Sequence, residues 1–198
     1  MADLSRSIGA FSKTPILGWN GSVWVDTGLT GKMQVYDRFI TERDFGQRKR
    51  ILTLAGDRTV APPYGVLRLL GASTIYLLES IIEDVDASNL YATTWALHEA
   101  AYPVQLCKMA TESTRSGVKV KTSEQVVETT WVDITRYSAV DSKEFSNTDY
   151  TIYTAYFAKG IAPDTDMYLR RLDNGEVLDI NEVFQALELP AARCLRRG

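Results

Sequence analysis

Residues 61–80, APPYGVLRLLGASTIYLLES, constrain the fold more than any other stretch of this chain. Two apolar runs meet at Gly71, and Pro62, Pro63 and Gly65 lead into the first of them. A loop that cradles phosphate needs its glycines clustered before a helix N-terminus. Here Gly65 and Gly71 flank an apolar run instead. The prolines lack ladder donors, so they belong at the entry of a strand and not at its centre. The segment therefore reads as strand, tight turn, strand: the middle of a barrel core.

The same grammar recurs along the chain. KMQVYDRF (32–39), KRILTLAG (49–56), GVLRLL (65–70) and STIYLLES (73–80) read as strands, with Asp57, Pro62-Pro63 and Gly71 between them. Short strands with such punctuation predict a sandwich or barrel. LYATTWALHEAAYPVQLCKMAT (90–111) mixes helix and strand formers, and Pro103 argues for two strands meeting near it. GVKVKT (117–122) alternates valine and lysine, the period of a strand with one wet face. EQVVETTWVDITRY (124–137) and DYTIYTAYFAKG (149–160) are long and threonine-rich, which predicts extended strands around 115–160 whose edges need protection. Asp173-Asn174-Gly175 marks a hairpin. DINEVFQALEL then reads as an amphipathic helix with Asp179 or Asn181 as cap, Val183, Phe184 and Leu187 as its stripe, and Pro190 as its stop.

The expected architecture is mainly β. It has an N-terminal arm (1–22), one small barrel or sandwich domain (23–180) carrying an extended β-ribbon insertion, and a C-terminal helix with a basic tail (181–198). No internal repeat is visible. With 198 residues, 45% of them hydrophobic, the chain has enough apolar material for a core.

A net charge of −3 disfavours non-specific nucleic-acid binding, which needs clustered cations. Arg38, Arg43, Arg48, Lys49, Arg50 and Arg58 read as a solvated face, interleaved as they are with Glu42, Asp44 and Asp57. Cys107 and Cys194 match no metal or redox spacing and read as free thiols. MADLSRSIGAF is too polar for a signal sequence, and no apolar run reaches the length of a membrane helix, so the expectation is a soluble protein made in a cytoplasm.

Catalytic motifs fail one by one. His98 is the single histidine, and Tyr102 stands where a zinc-protease helix would place the second. TGKM (30–33) has Asp26 in place of the first P-loop glycine and Met33 in place of the magnesium-binding hydroxyl. GAST (71–74) is followed by Ile75 where a nucleophile elbow needs glycine. The expectation is a protein that is not an enzyme, with no cofactor and no metal. Glu79, Glu83, Asp84 and Asp86 lie within eight residues without a base between them. They are able to serve as oxygen ligands, as a solvated turn, or as an acidic surface that repels a polyanion.

The order of features in GDRTVAPPYGVLRLLGASTIYLLESIIEDVDASNLYATTWALHEA resembles the small β-barrel of tailed-phage head–tail joining proteins, also called head-closure, stopper, neck or collar proteins. The likeness covers residues 32 to about 111 and is one of pattern, with no single diagnostic motif. It implies a structural virion protein of the neck, made in the host cytoplasm. Copies would form a homo-oligomeric ring of six or twelve, joining a portal or adaptor protein to a tail protein. DNA would pass through the channel without sequence-specific binding and without any membrane. On that reading Glu79, Glu83, Asp84 and Asp86 form an acidic turn on the channel wall, and Arg193, Arg196 and Arg197 form assembly contacts. The alternatives are a tail terminator or other tail-ring protein and, in another class, a small-ligand-binding or enzymatic β-barrel.

Overall fold

Closure of the sheets organises this protein. In the computed structural model, which describes residues 14–35, 50–54, 64–85, 91–113, 119–136, 151–186 and 188–197, every regular element is a β-strand. The chain divides into two compact units, Met1–Ala100 and Ala101–Gly198. Each unit carries its own closed barrel, where one barrel domain over 23–180 was expected from the sequence.

The first unit contains β1 (Thr14–Trp19), β2 (Trp24–Val35), β3 (Arg50–Leu54), β4 (Val66–Leu69), β5 (Ile75–Val85) and β6 (Tyr91–Ala100). They pair antiparallel in the order β1-β2-β3-β6-β5-β4, and β4 returns to β1 through Ile16 opposite Leu69. The second unit contains β7 (Tyr102–Ser113), β8 (Lys119–Arg136), β9 (Ile152–Tyr156), β10 (Met167–Arg171), β11 (Val177–Ala186) and β12 (Leu189–Arg196). Its order is β10-β11-β12-β9-β8-β7. Numbered from its own first strand and read backwards, that is the order of the first unit. The two halves therefore share one topology: two three-strand meanders joined at both edges. The repeat is invisible in the sequence because alternation and turn placement specify such a barrel, and many different side chains satisfy both.

Period-2 alternation builds each core. In the first barrel Ile16, Leu67, Tyr76, Leu78, Trp95 and Leu97 form a buried cluster, with Leu29, Met33, Tyr64 and Leu69 packed against it. Around Ile75 and Leu77 the strand β5 is buried on both faces, which its unbroken apolar run requires. The second barrel takes Val104 and Leu106 from β7, Val132 and Ile134 from β8, Leu169 from β10, Leu178 and Ile180 from β11 and Cys194 from β12. Phe157, fully buried just after β9, completes that core.

The turns follow residue chemistry. Asn20 accepts backbone hydrogen bonds from Ser22 (3.0 Å) and Val23 (2.9 Å) at the β1–β2 tip. Gly71 adopts φ 81° in the tight turn between β4 and β5, as read from the sequence. The Asp173-Asn174-Gly175 hairpin is present too: Gly175 has φ 73°, and Asn174 accepts from the Glu176 amide at 2.9 Å.

Three expectations change. Within the N-terminal arm, residues 14–19 form β1, the strand that closes the first barrel; residues 1–13 lie outside the described residues. The described parts of GVKVKT and EQVVETTWVDITRY join into the single strand β8, Lys119–Arg136. The C-terminal helix is absent: residues 177–186 form β11 and 189–196 form β12. Barrel closure decides this point. β12 lies between β9 and β11 and carries buried Leu189, Ala191, Ala192 and Cys194, so a helix here would leave β9 without a neighbour on that side. Asp179 and Asn181, the expected caps, lie within β11, and Pro190, the expected stop, sits opposite Gln185.

Ala186 pairs with Leu189, which leaves two residues for the turn. Such turns need left-handed backbone, and Glu188 supplies it at φ 59°. An L-residue there costs about 1–2 kcal/mol relative to glycine. Its exposed ion pair with Lys159, 3.4 Å long, offsets little of that. Glu188→Gly should therefore raise stability by about 1 kcal/mol, read as a higher denaturant midpoint at unchanged slope.

Candidate functional site

The sequence-predicted acidic group does not form a turn. Glu79, Glu83 and Asp84 all lie in β5, and Asp86 lies outside the described residues. Leu78 pairs with Leu97 and Ser80 with Ala96, so Glu79 is the extra residue of a bulge, and its side chain is buried. Glu83 stands opposite Thr93 and Asp84 opposite Ala92. Among the described residues, no group of three or more His, Cys, Asp or Glu is placed to hold a metal ion. His98 is buried in β6 opposite Leu77.

The predicted basic tail forms β12, and its arginines reach acids of β11 and of the turn before it. Arg193 pairs with Glu182 at 2.8 Å and Arg196 with Glu176 at 3.1 Å. Arg197 donates from Nε to Asp179 at 3.0 Å and again from Nη2. These ion pairs follow from the β11–β12 hairpin, in which Glu182 is directly opposite Arg193.

The densest polar cluster was not anticipated. It lies on the outer face of the second barrel, where register places Cys107 of β7 beside Tyr168 of β10, and Tyr168 beside Asp179 of β11. The Tyr168 hydroxyl donates to the Glu124 carboxylate, and Arg170 donates to the same oxygen. Met109 Sδ lies 3.8 Å from that hydroxyl. The Arg197 guanidinium covers the Tyr168 ring at 4.8 Å. A second node holds Arg171 between Asp173 and Glu176 (3.0 Å), stacked 4.2 Å over Tyr102. Glu176 also receives Arg196, so one carboxylate ties β10 to β12.

Tyr168, Cys107 and Glu124 are each pushed away from neutral-pH exchange. Burial, and then the hydrogen bond to Glu124, push the Tyr168 phenol up to about 12. Burial, reinforced by Glu124, pushes the Cys107 thiol up against the opposing Arg170. Hydrogen bonds from Arg170 and then Tyr168 hold Glu124 below the usual carboxylate range. Phenol and thiol stay protonated and the carboxylate stays ionised around neutrality, whereas a general acid or base works best near its own pKa. What the arrangement does is orient strands. No sequence motif could reveal it, because Glu124 and Tyr168 are 44 positions apart.

On the first barrel, Trp19 and Trp24 sit across the β1–β2 hairpin with ring centroids 5.3 Å apart, tilted by 58°. Arg68 of β4 lies 4.4 Å over Trp24. Exposed Val23 at the hairpin tip adjoins this aromatic patch in sequence.

Compared with known proteins, the chain matches no family model, no curated protein and no solved structure.

The depressed Glu124 pKa makes a signed prediction. A carboxylate whose folded pKa is lowered adds stability above its unfolded pKa, about 4.3, and loses it as pH falls through the folded value. Glu124→Gln should lower the melting temperature at pH 7. The difference from the unaltered protein should close as pH falls below about 4, checked by thermal melts across that range.

Proposed function

We propose that this chain is a structural subunit of the head–tail connector of a tailed phage. Copies assemble as a ring between portal or adaptor and tail, around the DNA channel. The observation that carries the reading is the set of strand edges running beyond the barrels. β8 pairs with β7 from Val132 to Lys119, but with β9 only at Asp133–Arg136. β7 reaches Ser113, while β10 covers only Val104–Lys108. A two-strand ribbon with exposed Val126 and Val127 therefore extends past the strands that close the barrel. Exposed apolar side chains on such an overhang offer a contact surface to a neighbouring chain.

The barrel interiors point the same way. Trp95, Leu67 and Leu97 fill one, and Phe157, Leu106, Leu169 and Leu178 the other. A ligand-binding barrel instead needs converging polar groups in an open apolar cavity. In the connector reading, Glu83, Asp84 and Asp86 supply the acidic channel wall, and the buried Glu79 has only a structural part. Arg196 and Arg197 remain half-exposed beside their own acids and keep donors for a neighbour.

Light scattering and negative-stain microscopy of the purified chain, alone and with portal protein, test this. Rings of six or twelve copies are expected. A chain that stays monomeric in both cases overturns the proposal.

A further inference from the structure

We propose that β11 is a docking edge for β11 of a second copy of this chain, the two strands running antiparallel about a two-fold axis at Val183. Within its own barrel β11 uses one edge fully, pairing with β12 from Leu178 to Ala186. On the other edge β10 covers only Val177–Asp179. Among the described residues no strand pairs with that edge from Ile180 to Ala186. The exposure pattern agrees: Asn181, Glu182, Val183 and Gln185 are exposed, with Val183 at 40%.

Two further features set this edge apart. The β8 ribbon is interrupted by register shifts that leave Thr122 and Val127 outside its ladder, and bulges blunt an edge. From Glu182 to Ala186, β11 is regular. The segment is also one whose local pattern predicts a helix, yet it is held as a strand with most of its surface in water. A conflict between local preference and global fold is characteristic of functional positions.

Self-pairing about Val183 is complementary in charge and shape. Val183 faces its own copy, and Glu182 comes opposite Phe184. Gln185 comes opposite Asn181, the residue that the bulge sets outside the β11–β12 ladder. Glu182 is held by Arg193, whose guanidinium also lies 5.7 Å over Phe184. The second copy's Glu182, arriving beside Phe184, therefore meets that Arg193. No like charges stand directly opposite one another, which is the condition for a favourable cross-strand pair. Such a contact is isologous, so it makes pairs and cannot by itself close a ring. Its area is small against that of a standard interface, so the dimer should be weak and concentration-dependent.

The test uses the full chain. In sedimentation equilibrium the apparent mass should rise toward that of a dimer with concentration. Val183→Lys should weaken the dimer at least tenfold, and Val183→Thr should retain it. Cysteine cross-linking reads the register: opposed residues in adjacent strands lie within disulfide reach, and Cys107 and Cys194 are both buried. Val183→Cys should form a disulfide-linked dimer under mild oxidation, and Gln185→Cys should not. A chain that is monomeric at every concentration, or equal cross-linking at the two positions, overturns the inference. If Val183→Lys fails to fold, the cysteine pair decides alone. The connector proposal is judged separately: rings without the Val183 cross-link remove only this inference, and the cross-link without rings, even with portal, removes only the connector.

Discussion

Each barrel depends on one closing seam, first strand to fourth. In the first unit it is β1 to β4, from Ile16 opposite Leu69 to Gly18 opposite Leu67. In the second it is β7 to β10, from Val104 opposite Arg171 to Lys108 opposite Met167. An open six-strand sheet would leave two rows of unpaired amides and carbonyls, and only closure removes both. The seam also explains local details elsewhere. At Gly18 a Cβ would collide with the ring of Tyr64, so glycine lets that ring lie against the closing strand. Cys107 and Leu106 sit on the seam strand of the second barrel, one under the polar cluster and one in the core, because successive residues face opposite sides.

Most of the β-structure was legible because strands announce themselves by period and punctuation. The reading of strand, turn, strand holds over residues 64–80, with Gly71 in the left-handed backbone that the turn needs, while Pro62 and Pro63 lie outside the described residues. Two strands do meet near Pro103. The failures share a cause. β1 was hidden in a segment rich in Gly, Ser and Pro, and its strand identity comes from its partners β2 and β4. β11 was hidden by a helical pattern that its neighbours override. In both cases pairing between distant segments decides, and single-chain periodicity does not contain it. The candidate site failed for the same reason. Glu79, Glu83 and Asp84, clustered in sequence, fall along one strand with Glu79 buried, while Cys107, Glu124, Tyr168, Arg170 and Asp179 come from four strands.

The polar face of the second barrel shows how charges can serve register. Exposed ion pairs contribute little stability individually. Here they share residues: Glu124 takes both Tyr168 and Arg170, Glu176 takes both Arg171 and Arg196, and Arg197 serves Asp179 while covering Tyr168. A one-residue slip of β10 against β7 would break several of these contacts together and turn Leu169 out of the core. The network is better suited to fixing which strands meet than to proton transfer.

One topology used twice in a chain of 198 residues bears on assembly. Among the described residues, side chains such as Trp95, Leu97, Phe157 and Leu169 fill the barrel interiors, and open backbone groups are found on the outside. Outside, closure satisfies the backbone wherever six strands overlap and fails where a hairpin outruns its neighbours. Among the described residues of the second barrel, that happens at β7–β8 and at β11–β12. The first of these is bulged and the second is regular from Glu182 onward. A ribbon blunted against strand addition is suited to side-chain contact through Val126 and Val127, and a regular edge to backbone pairing. The two overhangs of one barrel thus provide different kinds of contact, which is what a subunit needs in order to meet more than one neighbour without confusing them.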